Sequence, residues 1–364
     1  MKVAQELNHI PVKTWSWLGV NAASLEEELP DVPPFRLNPQ LETVPGLTVT
    51  AINRAGDRLA ALPDVMDAGV SREMQQWISR HHNSGWLLEV AAGATVSQPL
   101  LLSYQLDEDN PVLLDDLVVI AGENSRVTLV IDYSAASGGR FHSGLCRIYA
   151  GRGATVNLIK AQRFPDEVLH LDGVGADVAE TATVRVTLAE LGAGRSLTSC
   201  KLRLLGEDSA ADIRSLYLGD KTREIDINYL ITHIGKASRS SIESRGALLD
   251  ASRKIFRGTL DFVSGAAGAK GSEEEYTVLL SPDVRNRSTP LLLCGEADVE
   301  GQHAASTGRL DENKLFYLMS RGLSETDAKK LIIEASLRPV LDQIPFPALQ
   351  ETITNHIRRR LDNV

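Results

Sequence analysis

The sequence predicts a mainly β protein. A β-solenoid core over residues 85–301 follows a small N-terminal arm and helical region, residues 1–84, and precedes a helical C-terminal domain, residues 302–364. Three observations lead there. From Gly85 onward, short β-rich runs alternate with Gly, Asp, Asn and Ser turns, and no sustained helical period appears. A drifting repeat recurs at intervals of 31, 29 and 28 residues: Ala94-Thr95-Val96, Ser125-Arg126-Val127, Ala154-Thr155-Val156 and Ala182-Thr183-Val184. Further β-type runs, starting at Ser196 and Ala211, fall at about half that spacing. Hydrophobic residues make up 43% of the chain and aromatics only 5%, a balance suited to stacked β-ladders rather than a ring-walled pocket. A strand–turn unit that cannot bury its own face needs neighbours stacked on it. A β-sandwich would also give many short strands at regular spacing, but a repeat drifting over so long a run favours the solenoid.

In the N-terminal region, Trp15 and Trp17 lie close together in a Pro11–Asn21 segment and read as an anchor packing the arm onto the body. A helix is expected over Ser71–His81, with Met74, Trp77 and Ile78 on one face. In the C-terminal region, Asp311 is placed to cap a helix built on Leu315, Phe316, Leu318 and Met319. Gly322 follows where a left-handed C-cap is needed. Ser324 with Asp327 resembles a capping box for a second helix. That helix carries an apolar stripe of Ala328, Leu331, Ile332 and Ala335 and is limited by Pro339. Alone, this hairpin reads as a cap closing the end of the solenoid. A last helix, Pro347–Leu361, lines Leu349, Ile353, Ile357 and Leu361 along one face, and its basic end Arg358-Arg359-Arg360 reads as a solvated terminus suited to the helix dipole.

Composition excludes several functions. A net charge of −10 argues against nucleic acid as the main partner. No stretch reaches the ~20 apolar residues that cross a bilayer, and the N-terminus has no apolar signal core, so a cytoplasmic location is expected. Cys146, Cys200 and Cys294 are odd in number and far apart, with no C-x-x-C, so neither a disulfide framework nor a four-cysteine cluster can form within the chain. Iron or sulfur chemistry would need few ligands, transient binding or an interface. Gly219-Asp220-Lys221-Thr222 and Gly268-Ala269-Lys270-Gly271-Ser272 do not fit the phosphate-loop pattern, and no nucleophile elbow is present, so no enzymatic activity is expected. Taken alone, His303 reads first as a structural histidine; its rival role is a metal ligand, with Glu296 and Asp298 upstream and Cys294 as the nearest thiol, since imidazole suits iron and carboxylates add oxygen donors. Cys294 and Cys200 also read as structural strand residues. His142 and Cys146, four apart, share one face of a strand.

The stretch from Cys294 to Ile344 carries His303-Ala304-Ala305-Ser306-Thr307-Gly308, then Leu310-Asp311, Leu315-Phe316-Tyr317-Leu318, Ser320-Arg321-Gly322-Leu323-Ser324 and Asp327-Ala328. This run resembles the SufB/SufD scaffold proteins of iron–sulfur assembly, more the D-type subunit. The resemblance implies a right-handed parallel β-helix and a hairpin, residues 310–338, that docks a SufC-type ABC ATPase. The partner-facing residues would be Leu315, Phe316, Tyr317, Arg321, Gly322, Asp327 and Lys329. It also implies a functional histidine at 303, near the interface of two scaffold subunits. The departures are specific. D-type subunits often have a cysteine two residues before this histidine, where Gly301 stands here, and B-type subunits have a glutamate after it, where Ala304 stands. The essential cysteine of B-type subunits has no counterpart in Ser272-Glu273-Glu274-Glu275-Tyr276. The expectation is a non-enzymatic scaffold subunit paired with a SufB-type paralogue. It would bind no cofactor stably, with a transient iron–sulfur cluster at the subunit interface. The rivals are a self-sufficient homodimeric scaffold and a β-helix enzyme acting on polysaccharide; few aromatics and no export signal count against the latter.

Overall fold

The computed structural model describes every residue except Met1, Trp15, Glu42, Thr43, 63–66, Asn363 and Val364. From Ser84 the chain winds into a parallel β-solenoid whose successive strands go alternately to two facing sheets, one nine-stranded and one eight-stranded. Thr95, Arg126, Thr155, Thr183 and Ala210 lie side by side on consecutive rungs of the eight-stranded sheet. The sequence repeat is therefore the coil, and the run at Ser196, half a coil away, belongs to the opposite sheet. Turns between strands are tight enough that Asn124, Asp208 and Asp250 adopt left-handed φ of 55°, 53° and 56°.

Side chains alternate across each strand, so every second residue enters the space between the sheets. There Leu102, Val119, Leu129, Ile148, Leu158, Val186, Ile213 and Leu260 form one continuous core. Much of the outer faces is covered too, which is why strands such as Val112–Ala121 are buried almost throughout instead of alternating. Helices α1 (Gly56–Ala60) and α2 (Arg72–His81) lie in the N-terminal region. An antiparallel hairpin of Lys2–Leu7 with Ala23–Glu28 joins α2 on the nine-stranded sheet, where Leu7, Leu25 and Met74 meet Leu114, Phe141 and Leu197. Three C-terminal helices follow: α3 (Glu312–Ser320), α4 (Glu325–Leu341) and α5 (Pro347–Arg360). α4 and α5 cover the eight-stranded sheet, setting Ile333, Leu337, Val340, Ile353 and Ile357 on Ile159, Leu191, Leu216 and Leu218. Each such aliphatic side chain contributes about 1.5–3 kcal/mol of burial.

Several expectations need correction. The N-terminal region is not chiefly helical, since it contains the hairpin and strand Leu47–Ala51. Trp17 is 81% exposed and anchors nothing, and Trp15 lies outside the described residues. The arm is held instead by Leu7, Leu25 and a buried polar staple. Asn8 Nδ2 donates to Asp226 Oδ1 (2.7 Å), Arg257 Nη1 donates to the same oxygen (2.6 Å), and Arg257 Nε donates to the Val20 carbonyl. The solenoid does not stop at residue 301; its last strand, Val299–Arg309, carries it eight residues further. In α4 the buried stripe is Ala328, Ile333, Leu337 and Val340, because the helix lies on the sheet with this face, leaving Leu331 and Ala335 exposed. Pro339 sits inside the last turn of α4, which continues to Leu341. The basic end of α5 is not simply solvated: Arg360 pairs with Asp220 (Nε–Oδ2 2.7 Å), and Arg358 forms a bidentate pair with Glu334 (2.6 and 2.8 Å).

The two ends of the solenoid differ. Leu47–Ala51 and Phe35 cover the first coil. Among the described residues no further strand lies on the last coil, Arg285–Cys294 with Val299–Arg309, and Val299–Arg309 is exposed almost throughout. The α3–α4 hairpin does not close this end, because α4 lies on the outer face of the eight-stranded sheet and α3 buries none of its residues.

Candidate functional site

The open end is where His303 lies. Glu273 is its register partner on the rung below, and alternation along Ala269–Leu279 turns Gly271, Glu273, Glu275 and Thr277 inward. His303 therefore faces the mouth of the solenoid, exposed because no coil follows. Cys294 registers on the inward-facing Phe262 and so faces the same mouth from the other sheet, and it is exposed rather than buried. Asn286 Nδ2 donates to Thr307 Oγ1 across the mouth (3.0 Å). Glu296 and Asp298 lie in the turn between the last two strands. The Glu296 carboxylate accepts backbone N–H bonds from Gly265 (3.0 Å) and Ala297 (2.8 Å), which hold its pKa below the usual range. It organises the turn, and the Asp298 carbonyl takes the Gly268 N–H (2.7 Å). Among the described residues no three His, Cys, Asp or Glu side chains converge to hold a metal ion. The structure thus brings His303 and Cys294 to one mouth and gives Glu296 a structural task.

Beneath His303 lies a set of buried groups that sequence reasoning misses. Glu273 has an unpartnered Oε2, and burial, reinforced by the charge of Glu275, raises its pKa to about 8. Gly258 makes room for it, since a Cβ there would strike the Glu273 carboxyl. Glu275 pairs with Lys254 and accepts from Tyr217 Oη (3.2 Å), while burial outweighs Glu275 and lowers the Lys254 pKa. At neutral pH Glu273 is a carboxylic acid one rung below His303, in the same inward-facing column. The detectable signal is spacing: Glu273 and His303 are 30 residues apart, one coil.

A second buried cluster lies deeper. His142 Nε2 lies 2.6 Å from Asp115 Oδ1, and its Nδ1 is 2.7 Å from Nδ1 of His170, one coil on, so one imidazole donates to the other. Lys160 Nζ donates to Asp172 Oδ1 (2.6 Å), and Tyr133 Oη to Asp115 Oδ2 (2.8 Å). Burial disfavours the Lys160 ammonium, but Asp172 and Asp115 outweigh it and raise its pKa. His142 and Cys146 do share the inner face, yet Cys146 sits in the apolar core with its pKa pushed up to about 12 by burial. Cys200 is buried in the same way.

These groups give stability a pH dependence of known sign. The folded chain holds the Glu273 proton with a pKa of about 8 against an ordinary 4.5, so that stabilisation is full below pH 4.5 and lost as pH rises towards 8. His170, His233 and His356 act oppositely. Burial, joined by His142 for His170, depresses them to about 3, 4 and 4, so their contribution is full above pH 6.5 and lost as pH falls. Urea midpoints measured from pH 5 to 8 should therefore peak at about pH 6.5–7. Glu273→Gln should flatten the alkaline limb, worth about 1 kcal/mol by pH 8, and steepen the acid limb, which the histidines then set without opposition. An alkaline limb unchanged by the substitution would contradict this assignment.

The outer surface beside the mouth carries α3 and the start of α4. Asp311 caps α3, accepting from Asn313 (3.0 Å) and Lys314 (3.2 Å). Gly322 ends it at φ 97°. Ser324 Oγ accepts the Asp327 N–H (3.1 Å), while its hydroxyl donates to Asp327 Oδ2 (2.6 Å). This leaves Phe316 74% and Tyr317 56% exposed, with the Arg321 guanidinium 5.3 Å over the Tyr317 ring. Leu315 is half-buried, Gly322 and Asp327 are exposed, and Lys329 pairs with Glu325 (2.8 Å).

Comparison with known proteins agrees with this architecture. The family profile described as "SUF system FeS cluster assembly, SufBD core domain" matches residues 104–336. The iron–sulfur cluster assembly protein SufD of Bacillus subtilis is 26% identical over 282 residues, covering 77% of this chain and 64% of its own. An iron–sulfur cluster assembly SufBD family protein of Pyrococcus horikoshii is 31% identical over 271 residues, covering 74% of this chain and 60% of its own. The matches thus span less than two thirds of either relative. No helix among the described residues is long and apolar enough to cross a membrane. With the matched region running from the end of the first coil of the parallel β-solenoid into α4, the chain belongs to the SufBD family of the SUF iron–sulfur cluster assembly system.

Proposed function

We propose that this chain is a non-catalytic, D-like scaffold subunit. It pairs through its open end with a SufB-type paralogue and presents α3–α4 to a SufC-type ABC ATPase. The observation that carries the reading is the uncovered last coil. Proteins normally cover, shorten or charge a long edge strand, because its free N–H and C=O groups recruit another strand. Here the first coil has Leu47–Ala51 paired on one of its two strands and Phe35 packed over its core, whereas both strands of the last coil, 10 and 11 residues long, are left open. A second β-helix fits such an edge, and the ligands missing around His303 would then come from the partner. Support for the ATPase contact comes from the exposed Phe316, Tyr317 and Arg321, residue types that dominate interface energetics. Because α4 is packed onto the solenoid, movement of the hairpin would be transmitted to the sheet that ends in His303. Closure of the ATPase subunits would then open the scaffold interface to iron and sulfide, and the cluster is cargo that leaves.

His303→Ala tests the chemical half of the proposal. The side chain is exposed, so assembly of the complex and its urea midpoint should be unchanged while cluster formed per complex falls at least tenfold. Undiminished cluster yield would remove His303 from the mechanism.

A further inference from the structure

On the outer face of the nine-stranded sheet, next to the open end, two columns of side chains run in register. One is Arg195, Glu224, Arg253 and Arg285; its neighbour ends in Arg287. Residues 19–24 of the N-terminal arm lie over them and leave a cleft of about 310 Å³. Its charge is lopsided. Arg195 and Arg253 share the single carboxylate of Glu224, each at 3.4 Å. Asp226 is already taken by Arg257 and Asn8. Arg285 and Arg287 have no carboxylate within ion-pair distance among the described residues, and Arg287 Nη1 lies against the arm at Gly19. Four guanidinium groups thus face one shared carboxylate on a chain whose net charge is −10.

We propose that this cleft binds a small anion carrying a diphosphate group. Guanidinium forks match phosphoryl oxygens in pairs. The backbone positions of Arg253 and Arg285 are roughly 5 Å apart across the sheet, and those of Arg285 and Arg287 roughly 7 Å apart along one strand. Two linked phosphoryl groups span these separations and give each phosphoryl its own guanidinium fork. The overlying arm and the small volume exclude a nucleic-acid polymer. The proposal is independent of the scaffold reading.

The test is titration calorimetry on the full chain at low ionic strength, with pyrophosphate, ADP and adenosine as probes. Pyrophosphate should bind saturably, one per chain. Arg285→Glu with Arg287→Glu should weaken it at least about tenfold, since each lost charge-assisted bond is worth about 1.5 kcal/mol or more. Glu224→Gln should tighten it by removing the competing carboxylate. Arg185→Glu with Arg214→Glu, the same charge change on the opposite sheet, should leave it unaltered. Equal affinities for pyrophosphate and ADP would show that the diphosphate alone is recognised; tighter ADP with silent adenosine would add a nucleoside contact. Either outcome upholds the site. Absence of saturable binding, or equal loss in both double variants, overturns it.

Discussion

The Phe316→Asp, Arg321→Glu double variant is expected to lose the ATPase from co-purified complexes while keeping its fold and its B-type partner. Both side chains point to solvent, so the free chain loses little when they change. At an interface their weight is different. Buried aromatics and arginines each cost about 2 kcal/mol or more when removed, and two such losses amount to about a thousandfold in affinity. The change also breaks the Arg321–Tyr317 stack that pre-orders the knob. Lys314→Glu, an exposed charge change on the same helix, is the control. Full retention of the ATPase by the double variant would place its contact elsewhere.

The second large effect is predicted inside the solenoid. Lys160→Met should destabilise the chain by about 3–5 kcal/mol, because the Asp172 carboxylate is left buried without its cation. The Lys160→Met, Asp172→Asn double variant should recover more than half of that loss, since removing a buried pair costs far less than breaking it. Urea midpoints followed by circular dichroism give the comparison. A double variant as unstable as the single one would mean that Lys160 matters for packing, not charge.

Much of this is legible in the sequence, for physical reasons. A coil repeats its turn chemistry, so the triplets at 94, 125, 154 and 182 by themselves mark one column of one sheet. Helix caps are local, which is why Asp311, Ser324 and Gly322 can be read directly. What depends on how faces meet is less legible. The sequence offers Leu331 and Ala335 for the stripe of α4 as readily as Ile333 and Leu337, because both sets have helical spacing and only the sheet beneath chooses between them. The size of Trp17 suggests an anchor, whereas Asn8, Asp226 and Arg257, with more than 200 residues between the first and the other two, hold the arm. The boundary at 301 fails because an exposed edge strand has no apolar alternation to reveal it. His303 stands out by resemblance, but its column-mate Glu273 needs the coil register.

The scaffold reading is tested most directly by native mass spectrometry of this chain co-expressed with a B-type subunit and the ATPase. The wild type should appear in one complex with both partners. The Leu292→Asp, Ala305→Asp variant, with like charges set in the mouth, should retain the ATPase and lose the B-type subunit. A wild-type chain found only as a homodimer with the ATPase, or without either partner, would contradict the heterodimeric scaffold.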